Sequence, residues 1–489
     1  MRNAFALALA RLLSLGAVAL LASCASTTES AADLAARASK AMGADELRTL
    51  RYSGDGTGYT FGQAFVPEGA WPRIVLHSMT RSIDYASGAM RDEIVLSRAE
   101  PQGGGGYPLS GQQRNDQYIS GEIAWNQTPT AAAPGPRFVT DRVHQLWITP
   151  HGALKAAQRN GASVRSGDGG TRGLAFTQPG RFSATVWIGA DGFVSQVDSL
   201  FADPVLGDTR AVTTYSDYRD FSGVRFPTRV RQSIAGFPVL DLQVRDVQPN
   251  AAVSLAVPDA ARDQGERVTA DKVADGVWFI GGGTHNSVAI ELADHVVLVE
   301  TPLNDARTQA VIDRVKQIAP GKPIRHAINS HQHFDHAGGL RAAVAEGATI
   351  VTQAANVPYF ERVFAQPSSI RPDRMAQAGR RPSFLAVRDR LDLGDATQPI
   401  QVHRIAGGPH AEAFVMVYLP KDKLLIEADA YTPGPPNAPP PPVPNANNVN
   451  LVANIERLNL AVDRILPLHG RVVPLAELYT AVGKTPPAR

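Results

Sequence analysis

The chain has 489 residues, of which 44% are hydrophobic and 19% charged, a composition typical of a globular protein and not of a disordered one. That length exceeds one compact core and favours two domains of ordinary size. The formal charge is +2, and without the first 23 residues, which hold Arg2 and Arg11, 46 basic side chains balance 46 acidic ones. A neutral chain has no electrostatic reason to seek nucleic acid, so we expect no nucleic-acid partner.

The N-terminal segment has the features of a secretion signal. Arg2 and Arg11 precede an apolar stretch, 12–22, which is too short to span a bilayer comfortably but suits a signal-peptide core. The stretch ends in the sequence LASC at 21–24. This ending resembles the bacterial lipobox, in which small residues precede a cysteine that is lipidated and becomes the mature N-terminus.

The lipobox resemblance implies that residues 1–23 are a signal peptide and that Cys24, the only cysteine, carries a lipid anchor. The next residue is Ala25 and not Asp, which by resemblance to enterobacterial sorting favours the outer membrane. We therefore expect a bacterial cell-envelope protein that faces the periplasm and contacts the membrane through Cys24. A soluble secreted protein with an incidental cysteine is the alternative. A lone cysteine suits an oxidising compartment, since nothing can mispair.

The first half of the mature chain is predicted to be rich in β structure. Residues 24–48 resemble a polar, Ala-rich tether that leads into a short helix, and residues 49–250 form the predicted antiparallel β-rich domain. The segments 182–188 and 240–245 alternate between apolar and polar side chains, which indicates strands with one buried face.

Turn signals and one weak resemblance complete the description of this half. Asp191-Gly192 and Ser222-Gly223 are predicted hairpin turns. The run 215–227 resembles a hairpin of lipoprotein-carrier-like half-barrels, which implies a curved sheet able to hold something apolar. A purely structural spacer is the alternative, and no catalytic constellation is found in this half.

The pattern changes after a linker at 251–267. From 268 to 489, short strands alternate with helical stretches, which indicates an α/β domain. The first predicted elements are strands at Val277–Ile280, Ser287–Leu292, Val296–Val299 and Ile324–Asn329, with a helix at Ala306–Ile318.

The chemistry is concentrated in the sequence HQHFDH at 331–336. His331 and His333 lie two residues apart, so in extended backbone both imidazoles project to the same side and can converge on one ion. Asp335 and His336 follow as the chain turns and can serve a second ion. Imidazole and carboxylate at this density suit zinc, and without thiolate ligands an iron–sulfur or copper(I) site is not expected.

Four residues would leave two ions short of ligands, so further ligands must come from elsewhere in the chain. The candidates are His410 in Gly-Gly-Pro-His, Asp429 just after an apolar strand, and His469 in Leu-Pro-Leu-His-Gly. Each alone has an ordinary structural interpretation, as a helix cap, a strand-end turn or a surface histidine. Together with 331–336 they occur in the order of a known pattern.

In this order the residues resemble the metallo-β-lactamase superfamily, whose pattern is His-x-His-x-Asp-His followed by His, Asp and His. The resemblance covers roughly Val268 to the C-terminus and implies an α/β fold, the four-layer αββα sandwich, with ligands on loops at one sheet edge. It implies two zinc ions per chain, with iron and manganese as alternatives. The implied ligands are His331, His333 and His410 for the first ion, Asp335, His336 and His469 for the second, and Asp429 as the bridge.

The sequence departs from the family pattern in several places. Glu300 stands at a strand end where the family usually has Asp. Pro409 and Ala411 flank the third histidine ligand, where Gly and Thr are common, and Ala428 replaces a common Gly. None of these departures removes a ligand, but they place the chain outside the best-studied subfamilies.

The resemblance implies a dinuclear zinc-dependent hydrolase in which a metal-bridged hydroxide attacks a carbonyl. Two divalent ions held close together lower the pKa of a shared water from 15.7 toward about 7. Asp335 is the candidate catalytic residue that orients this hydroxide or carries its proton, with a role as ligand alone as the alternative. Tyr431 and His285 are candidate substrate contacts. The alternative for Tyr431 is a role in packing alone, and for His285 a structural role is favoured.

An ester, a thioester or a lactone is the expected small-molecule substrate. By resemblance, Asp at position 429 is typical of thioesterase-like and lactonase-like members, whereas the well-known β-lactamases carry Cys or Ser there. β-Lactam hydrolysis is the alternative activity. The alternative from another class of function is a non-catalytic envelope lipoprotein. It would bind lipid or a partner, and its metal site would be structural.

A Pro-rich segment separates the last two ligand candidates. Residues 432–445 cannot form a helix or a central strand. We predict a stiff flap near the mouth of the metal site, with a solvated surface excursion as the alternative.

Overall fold

The computed structural model describes residues 29–99, 111–436 and 439–485. Cys24 and the expected signal peptide lie outside the described residues. Within those ranges, no helix is long and apolar enough to cross a membrane. The described chain has an N-terminal domain built on one antiparallel sheet and a C-terminal α/β domain built on two sheets, which confirms the expected fold class.

One large antiparallel sheet organises the N-terminal domain. In the described part of the chain its thirteen strands are β1 (Thr49–Tyr59), β2 (Arg73–Asp84), β3 (Ala89–Arg98), β4 (Gln113–Ser120), β5 (Ile123–Gln127), β6 (Ala132–Pro134), β7 (Ser163–Ser166), β8 (Arg172–Gln178), β9 (Phe182–Ile188), β10 (Val194–Asp203), β11 (Gly207–Phe221), β12 (Val224–Ile234) and β13 (Phe237–Pro249). Strands β1 to β6 form one meander and β7 to β13 another, and the two join where β1 pairs with β13.

The predicted alternation and turns are found in this sheet. Every second residue of β9 is buried, from Phe182 to Ile188, which confirms a strand with one buried face. The predicted turns at Asp191-Gly192 and Ser222-Gly223 lie between β9 and β10 and between β11 and β12. Both glycines have positive φ angles, 84° and 86°, which suits tight hairpin turns.

Helices of the same domain cover one face of the sheet. They are α1 (Ala31–Met42), α2 (Val139–Trp147) and α3 (Pro150–Arg159). Helix α1 begins after Ser30, whose hydroxyl accepts the Asp33 backbone N–H at 3.1 Å. The buried side chains of all three helices pack with those of the strands in one core. The apolar face that a half-barrel would offer to a ligand is therefore covered by the chain's own helices, and α2 and α3 are not among the predicted elements.

Two sheets form the C-terminal domain. Over the described residues the first has the strands β14 (Thr269–Ala274), β15 (Val277–Gly281), β16 (Ser287–Glu291), β17 (Val296–Val299), β18 (Ile324–Ile328), β19 (Thr349–Gln353) and β20 (Phe384–Val387). The second has β21 (Arg390–Gly394), β22 (Pro399–Arg404), β23 (Val415–Leu419), β24 (Leu424–Glu427), β25 (Arg464–Pro467) and β26 (Val473–Pro474). In both sheets the strands lie in chain order.

Helices cover the outer faces of the two sheets. They are α4 (Asp305–Ile318), α5 (Phe334–Ala337), α6 (Leu340–Glu346), α7 (Asn356–Phe364), α8 (Arg374–Ala378), α9 (Ala446–Arg457) and α10 (Leu475–Ala481). Short 3₁₀ helices lie at Pro136–Phe138, Asp168–Gly170 and Asp259–Ala261. The predicted strands and the predicted helix between Val277 and Asn329 are confirmed within one or two residues.

The order of layers follows from the burial of alternate side chains. Val297 and Val299 of β17 face the second sheet and share a core with its strands and with α9 and α10. Val296 and Leu298 of the same strand face the other way and pack with α4 and α6. The domain is therefore layered helix, sheet, sheet, helix, as the resemblance implies.

Candidate metal centre

The sequence at 331–336 follows β18 and turns into α5. His331 lies in the connection that follows β18, and His333 is the N-cap of α5, with extended backbone at φ −60° and ψ 145°. Asp335 and His336 lie inside this short helix. The change from extended to helical backbone therefore directs the two halves of the motif to neighbouring positions, as its spacing predicts.

Two glycines hold the end of this motif against the start of α4. A Cβ on Gly338 would lie 2.0 Å from the Leu303 carbonyl oxygen, and one on Gly339 would lie 1.8 Å from the Thr308 hydroxyl. Such an approach is possible only without a side chain. The two glycines therefore fix how α5 joins α6.

The other three candidate ligands come from the second sheet. His410 lies in the connection between β22 and β23. Asp429 and His469 each lie two residues beyond a strand, β24 and β25, and these strands run parallel with Glu427 opposite Pro467. Because parallel strands end at the same edge of a sheet, Asp429 and His469 meet there.

One group of four converging side chains comprises His331, His333, His410 and Asp429, whose ligand atoms lie within 4.8 Å of one another. The Nε2 atoms of His331 and His410 are 3.1 Å apart, and Asp429 Oδ2 is 3.2 Å from each of them. All three histidines are buried. The residues expected at the first ion are thus gathered in one place.

The second group comprises His285, Asp335, His336 and His469, with ligand atoms again within 4.8 Å of one another. The Nε2 atoms of His336 and His469 are 3.1 Å apart. Asp429 Oδ2 lies 2.8 Å from His336 Nε2, and its Oδ1 lies 3.1 Å from His469 Nε2. Asp429 therefore contacts both groups, as a bridging ligand would.

The donor set fits a pair of divalent ions. Ligands at about 2.0–2.1 Å around a tetrahedral ion lie about 3.3 Å from one another, close to the separations found here. His333 Nδ1 is buried and has no hydrogen-bond partner among the described residues, an arrangement that is costly without a ligand. Imidazole nitrogens and carboxylate oxygens are zinc ligands, while manganese and iron accept the same donors.

Burial and charge set the protonation states of these groups. Burial lowers the pKa of His331 to about 3 and holds the pKa of His333 well below its usual range. Burial favours a raised pKa for Asp335 and Asp429, but the imidazoles around them, His336 first, outweigh it and hold both pKa values well below the usual range. His336 differs, because Asp429, Asp335 and Glu300 outweigh its burial and raise its pKa well above the usual range. Neutral imidazoles and ionised carboxylates are the forms that bind metal, so a bound ion would take the place of the His336 proton.

Glu300 is not a candidate ligand, but its hydrogen bonds reach a histidine of each ligand group. This buried carboxylate accepts from the backbone N–H of Ser330 at 3.2 Å and from its hydroxyl at 2.7 Å, and it lies 2.9 Å from His336 Nδ1. The Ser330 hydroxyl also contacts His331 Nδ1 at 2.9 Å. Through these bonds Glu300 orients one imidazole of each group and leaves both Nε2 atoms facing Asp429. Sequence alone identified Glu300 only as a departure from the family pattern.

Asp335 is held by two side chains that the motif does not contain. Gln63 Nε2 donates to Asp335 Oδ1 at 2.7 Å, and His285 Nε2 lies 3.0 Å from Oδ2. Burial is the main cause that lowers the pKa of His285 to about 4. Gln63 belongs to the β1–β2 loop (60–72) of the N-terminal domain, and sequence reasoning missed it, because a glutamine in a loop 272 residues away carries no local signal.

The remaining candidates lie at the rim or in the core. Tyr431 is 4% exposed and belongs to the core between the sheets, which favours packing, and burial raises its pKa to about 12. The Pro-rich segment has no helix or strand in its described residues before α9. Arg471 donates to the Gly434 carbonyl at 3.4 Å, and the Pro433 ring lies 3.2 Å from where a Cβ on Gly470 would stand. The segment therefore packs beside the turn that carries His469.

The two-sheet α/β domain thus brings all seven candidate His and Asp ligands together in two adjoining groups that could hold metal ions. Residues 280–469 match the sequence profile described as the metallo-beta-lactamase superfamily. This part of the chain, which carries every candidate ligand, belongs to that superfamily. The fold and this match thus agree with the resemblance drawn from the motif.

Solved structures are similar to the chain over the same half. A metallo-beta-lactamase from Pontibacter korlensis is 18% identical, with 44% of this chain and 98% of that chain covered and a TM-score of 0.34. One from Hirschia baltica is 21% identical, with 44% and 95% covered and a TM-score of 0.33. FIM-1 from Pseudomonas aeruginosa in its mono-zinc form is 20% identical, with 45% and 95% covered and a TM-score of 0.33. No curated protein matches the chain.

Proposed function

We propose that the chain is a dinuclear metal-dependent hydrolase that cleaves an ester, a thioester or a lactone. The observation that carries this proposal is the position of Asp429, whose two carboxylate oxygens face imidazoles of both ligand groups at 2.8–3.2 Å. One carboxylate shared by two groups suits two ions close together. A structural metal site needs only one closed set of four ligands.

A bound pair of divalent ions supplies an activated water and an electrophile for the carbonyl oxygen of the substrate. The residues of the chain do the rest. Asp429 Oδ2 contacts His331 and His410 of the first group and also His336 of the second. Its Oδ1 contacts His469 of the second group, so this one carboxylate would help to hold both ions. Burial of these imidazoles excludes bulk water from the back of the site.

Asp335 is the residue that we assign to orienting the nucleophile and carrying its proton. Its side chain is 28% exposed, against 17% for Asp429 and 18% for His469, while the other histidine ligands are buried. Gln63 and His285 hold the carboxylate from two sides. Asp335 is thus the ligand that an incoming substrate can reach in a fixed orientation.

The experiment joins metal analysis to a substrate screen. We expect two equivalents of zinc, iron or manganese per chain and hydrolysis of at least one ester, thioester or lactone, which chelation abolishes and added metal restores. His333→Ala should lose one equivalent and reduce turnover to background. His326→Ala, in the strand that leads to the motif, is the matched control and should keep both. One equivalent at saturation in the wild type would refute the dinuclear assignment.

The same screen separates the alternative functions. Nitrocefin hydrolysis without turnover of any ester, thioester or lactone would favour the β-lactam alternative. Two bound ions and no hydrolysis of any substrate would favour the non-catalytic envelope protein.

We also propose that the protein is anchored in the bacterial envelope, facing the periplasm, through a lipid on Cys24. The supporting evidence is the sequence at 12–24 alone. Cys24→Ala should abolish labelling by radioactive palmitate and release the protein from the membrane fraction. Unchanged labelling of Cys24→Ala would refute the anchor.

A further inference from the structure

The β1–β2 loop of the N-terminal domain lies directly on the metal-binding motif. Phe334 donates its backbone N–H to the Gly62 carbonyl at 3.2 Å. The Phe334 ring packs edge-on against Phe61 and Trp71, with centroids 5.2 Å and 5.7 Å apart. Gly62 has a φ of 80°, and a Cβ there would lie 2.5 Å from the Phe334 ring. The loop therefore reaches the motif through a contact that requires glycine.

The loop orients a ligand of the first group through its backbone. The Ala64 carbonyl oxygen lies 3.0 Å from His333 Nε2 and accepts from Gln332 Nε2 at 2.8 Å. An acceptor at Nε2 places the imidazole proton there and leaves the lone pair on Nδ1 for a metal. His333 Nδ1 is the buried nitrogen that has no partner within the described residues. The carbonyl of one domain thus selects the ligand atom of the other.

The loop orients a ligand of the second group through a side chain. Gln63 donates to Asp335 Oδ1, and the other oxygen, Oδ2, is the one that faces His285 and His336. An amide donor on one oxygen prevents the carboxylate from rotating about its last bond. Asp335 therefore presents Oδ2 to the second group, in the way that outer hydrogen bonds hold metal-binding carboxylates.

Further contacts hold the loop in this position. The Phe65 carbonyl accepts the Glu412 backbone N–H at 2.9 Å, two residues beyond His410. The ion pair of Glu68 with Arg362 of α7 adds little to this, because both side chains are about half exposed. The loop thus contacts both connections that carry histidines of the first group.

We propose that the β1–β2 loop is part of the metal centre, with Gln63 as the positioning residue for Asp335 and the Ala64 carbonyl as the positioning group for His333. This inference deepens the proposed function, since it concerns the same site. It also gives the N-terminal domain a role beyond that of a spacer. The metal affinity of the C-terminal domain is set in part by residues that lie outside it.

The test measures metal affinity in the full chain. Zn²⁺ is titrated in competition with a chromophoric chelator, and Co²⁺ absorption reports the ligand field of each site. Gln63→Ala should weaken the second ion by about 10- to 100-fold and leave the first ion and the melting temperature nearly unchanged. Gln63→Met keeps the length of the side chain but has no donor, and it should weaken the second ion equally. Glu68→Ala, in the same loop, is the matched control and should change neither affinity.

A second variant tests the Ala64 carbonyl. Gly62→Ala places a methyl group against the Phe334 ring and shifts the loop, so we expect a weaker first ion and an altered Co²⁺ spectrum. An unchanged spectrum and first affinity would show that the carbonyl does not position His333.

The outcomes separate this proposal from the proposed function. Affinities within twofold of wild type in Gln63→Ala would overturn the role of Gln63. Retained affinity in Gln63→Met with loss in Gln63→Ala would assign the effect to packing, and would also overturn it. A wild type that binds two ions, loses the second in both Gln63 variants and hydrolyses nothing would support the positioning role and reject the hydrolase.

Discussion

Glu300 adopts a backbone conformation that residues other than glycine rarely occupy. Its φ is 69°, at the end of β17, and its backbone N–H donates to the Ile328 carbonyl at 2.8 Å. Such strain persists only where the surroundings fix it, and it is common at functional sites. Here the strain accompanies a carboxylate that is 0% exposed and contacts Ser330 and His336.

We expect Glu300→Gln to weaken both ions, although it removes no ligand. The carboxylate accepts from three donors, one at Oε1 and two at Oε2. The amide replaces one of these oxygens by an N–H₂ group, so at least one donor loses its acceptor. Metal affinity should fall about 10- to 100-fold, and the metal-free protein should lose about 1–3 kcal/mol of unfolding free energy. Chelator competition and urea unfolding in EDTA measure the two effects.

Glu346→Gln provides the comparison for Glu300→Gln. Glu346 forms a surface ion pair with Lys316 at 2.7 Å. Its replacement should cost less than about 1 kcal/mol and leave metal affinity unchanged. Equal effects of the two substitutions would contradict a specific role for Glu300.

The residues of the site divide by whether they carry a local sequence signal. The motif at 331–336 is a dense run of ligand types, and its order with His410, Asp429 and His469 matches a family pattern, so sequence could gather them. Gln63 and the Ala64 carbonyl have no such signal, because a glutamine and a backbone group occur in every loop. Their role arises only when two distant segments are packed together.

At the scale of elements, α2 and α3 bring two buried histidines into the N-terminal core. His144 Nε2 lies 2.8 Å from the Ser199 hydroxyl, and its ring stacks on Phe201 at 4.7 Å. His151 Nε2 lies 3.2 Å from the Met42 carbonyl oxygen. Burial lowers the pKa of His144 to about 3 and the pKa of His151 to about 4, from an ordinary value of 6.5.

These two histidines make the stability of the domain depend on pH. Below pH 6.5 the unfolded chain binds protons that the folded chain does not. Their contribution is therefore complete above pH 6.5 and is lost as the pH falls toward about 3 for His144 and about 4 for His151. The loss between pH 7.5 and pH 5 should be about 2 kcal/mol for each histidine.

Urea unfolding in EDTA at the two pH values measures this loss. His144→Gln and His151→Gln should each remove about 2 kcal/mol of the difference. His77→Gln changes an exposed histidine of the same sheet and serves as the control. Equal pH dependence in all three variants would contradict the assignment.

The strands of the sheets were easier to predict than these helices. Alternation with one buried face, as in β9, identifies a strand within its own few residues. Val139, Val143 and Leu146 in α2 recur at helical spacing, but the run is short and lies between many strands. Short helices that only fill the face of a sheet depend on contacts that the local sequence does not specify.

At the scale of the whole molecule, the two domains share a core besides the loop at the metal site. Val205, in the turn between β10 and β11, packs with Leu340 and Phe360 of the C-terminal domain. Arg341 donates to the Val205 carbonyl at 3.1 Å and to the Val363 carbonyl at 2.9 Å. The sequence indicates two kinds of pattern along the chain but holds no local signal for this interface.

Arg341 is the residue on which this interface should depend most. Its side chain is 1% exposed and pairs with Asp373 Oδ2 at 3.1 Å. Arg341→Ala therefore removes the donor from this carboxylate oxygen and from the Val205 carbonyl. Breaking a buried pair in this way should cost about 3–5 kcal/mol. Because the lost contacts join the domains, we expect the metal-free wild type to unfold in one calorimetric transition and Arg341→Ala in two.

Arg245→Ala is the control, since Arg245 pairs with Asp55 at 2.7 Å on the exposed surface of the N-terminal domain. It should leave the unfolding free energy nearly unchanged and preserve the single transition. If Arg341→Ala also unfolds in one transition at an unchanged temperature, the shared core does not couple the domains. In that case the β1–β2 loop would be held at the metal site by its own contacts alone, and Arg341→Ala would not change the affinity for the second ion. If the shared core does couple the domains, Arg341→Ala should also weaken binding of the second ion.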